Sequence, residues 1–303
     1  MRRALCTGLL LVLLGCDSVD DPVGFEEPFI ATTAVFKHGE LPVGTEGPQV
    51  TNFSSGFSVL SPGARNLRLS GNVTEEAYSV GARFAELGSG FWIQPVGSFD
   101  PITPGERTWT MPLDVSIDIA PGTHTVEVVA FDEGGNAGPV RTLDVCVGSR
   151  IPDNNNACLP KNAPPLLVAS LTWDVDADLD LTVVAPDGKR YGREQRQFSE
   201  NGKVVARLDA DGTAGCVTDK RPMENFVWSE LPTTIGGAWS IYANLFDACG
   251  KSAVTYTLTL YQRIDNGDGT FSQKAIRTAH GDFLRQQVNG GADSPVFITS
   301  VVL

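Results

Sequence analysis

Histidine is scarce: three in 303 residues, His38, His124 and His280, far apart and none in an H-E-x-x-H pattern. No Gly-x-Ser-x-Gly elbow, Walker loop or Gly-x-Gly-x-x-Gly run occurs either. No catalytic residue is assigned, and only a Ser-His-Asp set assembled by folding stays open, since triads are defined by geometry. Basic charge is also short. With 23 Lys and Arg against 36 Asp and Glu, the net charge is −13, and the basic face that a nucleic-acid binder needs is missing. The 32 Gly and 19 Pro follow no period, which excludes collagen and argues against long helices. The C-x2-4-C pairs of a zinc site are absent. The apolar fraction, 42%, is that of a folded protein, and the length suits two domains.

The N-terminus supplies what the rest lacks. Met1-Arg2-Arg3 is basic, Leu9 to Leu14 is apolar, and Gly15-Cys16 follows. That order is a secretory signal, and the apolar stretch is too short to span ~30 Å of hydrocarbon. Leu13-Leu14-Gly15-Cys16 resembles a bacterial lipobox, which implies cleavage before Cys16 and a lipid on its sulfur. Loss of Arg2 and Arg3 leaves 21 basic against 36 acidic residues, 21 − 36 = −15. No later run is long enough for a transmembrane helix, so the lipid is the expected membrane anchor. Asp17 to Glu27 is acidic and reads as a solvated tether. The chain is expected in the bacterial cell envelope, on the inner or the outer membrane.

Six cysteines fit export. Cys6 leaves with the signal and Cys16 takes the lipid. Cys146, Cys158, Cys216 and Cys249 remain, an even set in a compartment that permits disulfides. Three connectivities exist, and proximity favours Cys146–Cys158 with Cys216–Cys249.

Short alternating runs separated by Gly, Pro and Asn turns indicate an all-β chain of two β-sandwich domains in tandem. The expected organisation is a signal peptide at 1–15, a lipidated acidic tether at 16–28, a sandwich at 29–147, a linker at 148–165 and a second sandwich at 166–303. In the first sandwich, strands are expected at Phe29–Phe36, Asn66–Val73, Phe91–Val96, Leu113–Ile119 and His124–Phe131. The linker has four Asn and four Pro. In the second sandwich, every odd position from Leu167 to Ala185 is apolar. That is too long for one ordinary strand and predicts two, with a turn or bulge near Asp174–Asp178. Further strands are expected at Val204–Leu208, Trp239–Leu245, Val254–Arg263, Phe271–Thr278 and Val296–Val302. Asn266-Gly267-Asp268-Gly269 reads as a hairpin loop, and the segment around His280 as a turn.

Two resemblances add to this. His124 to Gly138 is similar to the last hairpin of bacterial Ig-like extracellular modules, which implies a spacer or binding sandwich. Leu171-Thr172-Trp173-Asp174, Ala177-Asp178-Leu179-Asp180-Leu181 and Pro186-Asp187-Gly188 resemble the bacterial family called YfaP-like. The likeness continues through Leu208 to Asp211, Gly215-Cys216, Glu224-Asn225, Trp228 and Asn244-Leu245-Phe246. Thr182 departs from it, since many relatives have His there, as does the segment from Ile235 to Trp239. The family has no established activity, and its members are exported. Some sit beside α2-macroglobulin-like protease traps or adhesion domains, which implies a binding or accessory role.

Asp174, Asp176, Asp178 and Asp180 occupy alternate positions, with Asp209 and Asp211 a second cluster. If they converge, they offer the hard oxygens that Ca²⁺ takes; if they spread along a strand, they make a solvated acidic edge. An EF-hand is excluded, because its glycine position holds Leu179 and its glutamate position Ala185. Trp92, Trp109, Trp173, Trp228 and Trp239 could stack sugars, but sandwich cores use the same residues, and Trp173 lies on the apolar odd face. The expected function is a non-enzymatic envelope lipoprotein that binds an envelope protein or glycan. The alternatives are an accessory subunit of a protease trap and an exported hydrolase with a hidden site.

Overall fold

The computed structural model describes residues 27–57, 59–209, 212–217, 222–292 and 295–303. Cys16, the signal, most of the acidic tether and Asp211 lie outside the described residues. The chain is all-β, with no α-helix among the described residues. It divides into two compact units that interleave along the sequence: residues 1–56, 65–116 and 126–143, and residues 57–64, 117–125 and 144–303.

Among the described residues, ten strands precede residue 148: β1 (Phe29–Ala31), β2 (Val35–His38), β3 (Val50–Ser55), β4 (Val59–Leu60), β5 (Leu67–Thr74), β6 (Ser79–Phe84), β7 (Gly90–Pro95), β8 (Glu106–Val115), β9 (Gly122–Phe131) and β10 (Arg141–Val147). They form a four-stranded sheet, β1-β8-β5-β3, and a six-stranded one, β2-β7-β6-β9-β10-β4. Hydrogen bonds from Trp92 Nε1 to Phe29 O and from Gln94 Nε2 to Thr110 O tie the two sheets. The expected run Phe29–Phe36 is two strands, because the turn closed by Ala34 N–H on Ala31 O sends β1 and β2 to different sheets. The strand expected at Leu113–Ile119 instead runs from Glu106 to Val115, where Trp109, Met111, Leu113 and Val115 alternate into the core. Glu27 is not part of a solvated tether. It is 6% exposed and accepts hydrogen bonds from Ser89 N–H and Oγ.

The later strands are β11 (Leu167–Trp173), β12 (Asp178–Val184), β13 (Arg190–Tyr191), β14 (Gln197–Glu200), β15 (Lys203–Leu208), β16 (Met223–Trp228), β17 (Ala238–Asp247), β18 (Ala253–Asp265), β19 (Phe271–Leu284) and β20 (Val296–Val302). A six-stranded sheet, β14-β15-β16-β11-β18-β19, and a four-stranded one, β13-β12-β17-β20, enclose a single core. The apolar odd face from Leu167 to Ala185 is that core. The chain breaks after Trp173, so β11 serves one sheet and β12 the other. Trp173, Trp228 and Trp239 are all buried, as are Trp92 and Trp109, so none offers an open sugar platform. His280 lies within β19, opposite Thr257, and not in a turn. A Cβ at Gly281 would come within 2.4 Å of the Tyr256 hydroxyl, so glycine there makes room for the ring and does not end the strand.

Both favoured disulfides are present, Cys146–Cys158 and Cys216–Cys249. The Asn-rich segment after β10 is fastened to the β18–β19 hairpin. Asn156 Nδ2 donates to Phe271 O at 2.9 Å, and Gln273 Nε2 to Pro152 O at 3.1 Å.

Candidate functional site

The alternation that makes β12 amphipathic also sets its polar residues on the outer face of the four-stranded sheet. Leu179, Leu181 and Val183 point into the core, and Asp178, Asp180 and Thr182 point away from it. The aspartates of the alternating run therefore have four different surroundings. Asp174 is exposed and accepts the Thr255 N–H at 2.9 Å, which pins the β11–β12 turn to β18. Asp176 is exposed in that turn. Asp178, at the bulge that opens β12, is 3% exposed, and its Oδ2 accepts the Gly215 N–H at 2.6 Å. Asp180 is 8% exposed and faces Asn244 across the strand pair. Asp209 forms an ion pair with Arg207 at 3.6 Å.

Among the described residues, the set of three ligand atoms within 4.8 Å of one another is Cys216, Asp247 and Cys249. Its two sulfurs are already bonded to each other, so it is not a metal centre. Glu224 was not singled out as a site residue. It is 1% exposed, and its Oε2 accepts the Leu181 N–H at 2.6 Å. Its sequence signal was the Glu224-Asn225 pair of the family likeness, at the head of an apolar strand.

Over the outward face of β12 lies a cleft of about 560 Å³. Asp180, Thr182 and Asn244 form its floor; Arg190, Tyr191 and the 192–195 turn form one wall, and Gly291 and Ala292 the other. Asn289 Nδ2 donates to Asn244 Oδ1, which fixes the amide with its NH₂ free to donate. The Arg193 guanidinium stacks 4.5 Å above the Phe246 ring and is held in place by it. Burial pushes the Tyr191 hydroxyl above its ordinary pKa. Among the described residues, the lining carries Asp180 and Glu194 with Arg190 and Arg193, and no histidine, serine or cysteine.

The histidines lie elsewhere. His124 Nε2 is 2.7 Å from Ala120 O, and His280 Nδ1 is 2.9 Å from Thr257 Oγ1. His38 Nδ1 is 3.4 Å from Ser89 Oγ, and Ser89 Oγ is 2.5 Å from Glu27 Oε1. That trio has the members of a hydrolase triad in the wrong order. The serine proton goes to the carboxylate, which also takes the Ser89 N–H, and among the described residues no acid orients the imidazole.

The fold and cleft define an all-β protein with a polar recess on one sheet face. No family model and no curated protein matches the chain. Among solved structures, a collagen adhesin from S. aureus is similar at 9% identity over 78% of this chain and 95% of that one, with a TM-score of 0.21. Likeness at that level carries no argument about function.

Proposed function

We propose that the chain is a lipid-anchored binding module of the bacterial cell envelope, with no reaction of its own. The observation that carries this reading is the cleft: polar side chains of both charges and, among the described residues, no histidine, serine or cysteine. The two disulfides support an oxidising compartment. The anchor rests on the Leu13–Cys16 motif alone. Cys16→Ser should move the protein from the membrane fraction to the soluble one, and wild-type protein that is soluble with residues 1–15 attached would refute the anchor. A pulldown from intact envelopes, using the chain without its lipid, tests the binding role; an empty pulldown counts against it.

Calcium enters the proposal as a structural ion only. Asp178 and Asp180 are buried two residues apart on one face of β12 and offer the hard carboxylate oxygens that Ca²⁺ takes. Millimolar Ca²⁺ should raise Tm, and Asp178→Ala with Asp180→Ala should abolish the rise. Identical melting curves in Ca²⁺ and in EDTA remove the ion.

A further inference from the structure

We propose that the turns at one end of the first sandwich form a docking surface for a protein with an apolar pocket ringed by lysine and arginine. The surface belongs to the first unit and the β12 cleft to the second, so the inference goes beyond the reading of that cleft. Three turns meet there: 74–78 between β5 and β6, 96–105 between β7 and β8, and 132–137 after β9. Tyr78 joins them. Its N–H donates to Phe131 O at 2.7 Å, and its carbonyl accepts the Val96 N–H at 3.1 Å. The Arg107 side chain, from the start of β8, ties two of the turns together. Its Nε donates to Gly97 O and its Nη1 to Ala77 O, both at 3.1 Å, and its guanidinium lies 5.6 Å over the Phe99 ring.

Three large apolar side chains stand out from these turns: Tyr78 is 57% exposed, Phe99 63% and Ile102 88%. A single exposed apolar residue is ordinary, but aromatic rings gathered around one arginine have the composition of an interface centre. The display is also rigid. The β7–β8 turn continues the ladder of its strands, with Gly97 N–H on Thr108 O, Thr108 N–H on Ser98 O and Asp100 N–H on Glu106 O. The Asp100 carboxylate accepts the Ile102 N–H at 2.8 Å and an Asn72 amide proton. Pro101 and Pro104 fix φ on either side of Ile102. A tip ordered in advance loses little conformational entropy on contact.

Charge names the occupant. Every residue of the three turns is described, and Glu75, Glu76, Asp100, Asp132 and Glu133 belong to them. Glu106 stands beside them as the cross-strand partner of Thr74. Over 74–78, 96–107 and 132–137 the only base is Arg107. An acidic rim around an apolar centre is complementary to a cationic rim. The same rim repels a bilayer with anionic headgroups, and it repels a second copy of itself.

The test places a benzophenone amino acid at Ile102 of the full-length protein in intact bacterial cells. The control position is Val35, exposed on β2. Illumination should join Ile102 to one protein, at a surface that mass spectrometry maps as apolar and rich in lysine and arginine, and should not join Val35 to it. With that partner purified, Ile102→Ser should weaken binding about tenfold, the loss of one central contact. Glu75→Lys with Glu76→Lys should weaken it about tenfold, mainly through slower association, and added salt should weaken the wild type. Ile102→Ser changes an exposed side chain and should leave Tm unchanged; Phe99→Ala, which also frees Arg107, is the second variant. An adduct to lipid, to a second copy or to an acidic surface overturns the inference. So do equal adducts from both positions, no adduct at all, or a partner that the folded variants bind in full. If the Ile102→Ser protein still captures an envelope partner by pulldown as well as wild type does, this surface falls and the binding module stands. If neither captures one, both fall.

Discussion

Glu200 shows what one buried carboxylate can do in this protein. It is 8% exposed and accepts from the backbone N–H and the hydroxyl of both Thr233 and Thr234. Those donors favour the ionised form and hold its pKa at about 2, below the ordinary 4.5. Since the folded value is the lower one, the contribution to stability is complete above about pH 4.5 and is lost as pH falls toward 2. Tm should therefore drop across that window. Glu200→Gln should start from a lower Tm at neutral pH and show a shallower acid limb. Thermal melts of the two proteins from pH 7 to pH 2 check this, and parallel acid limbs would count against it. Asp174, Asp178, Glu27 and Glu224 each accept a backbone N–H as well. Within the row of aspartates, Asp174 thus fastens the β11–β12 turn and Asp178 the start of β12.

At the scale of elements, strand contact depends on a few glycines placed where backbones meet. A Cβ at Gly71 in β5 would lie 1.9 Å from Asn52 O in β3, beside the bulge between Val50 and Asn52. Any larger residue must push β3 away, since the obstacle is backbone and cannot rotate aside. Gly71→Ala should cost about 1–3 kcal/mol by urea denaturation, the usual range for overpacking. Gly56→Ala is the control, because its Cβ would meet nothing closer than Arg68 O at 3.7 Å. It should stay within about 0.5 kcal/mol of wild type. Equal losses would mean that strand entropy decides the matter and not the close approach. Pairing also explains the strands that the sequence reading missed. β16 is buried from Glu224 to Trp228, because β11 and β15 flank it, so it shows no polar–apolar alternation to find.

At the scale of the whole molecule, covalent staples fix segments that have little core of their own. Cys216–Cys249 closes a separation of 33 residues and holds the loop whose Gly215 N–H caps Asp178. In the loop-entropy model such a bridge contributes about 4 kcal/mol, so Cys216→Ser with Cys249→Ser should lose stability on that order. Non-reducing peptide mapping should recover the Cys216–Cys249 and Cys146–Cys158 peptides from wild type. A mixed Cys146–Cys216 peptide would contradict the structure. With Cys146–Cys158, the Asn-rich segment that composition marks as a linker is bonded to β10 and hydrogen-bonded to the β18–β19 hairpin.

The sequence by itself determined the all-β class, the paired cysteines, the break of the odd apolar face into β11 and β12, and the hairpin loop at Asn266–Gly269. Each of these follows from period, turn chemistry or spacing along the chain. It also placed Asp178 and Asp180 in a run of alternating aspartates; both are buried. Only the tertiary structure decided where each aspartate goes. Neighbours two apart on a strand share a face, but what covers that face comes from elsewhere: Gly215 for Asp178, and Asn244 with the 190–195 segment for Asp180. The cleft was illegible for the same reason. Its floor joins β12 to β17 across more than sixty positions, and its walls are turns whose approach is set by packing on Phe246.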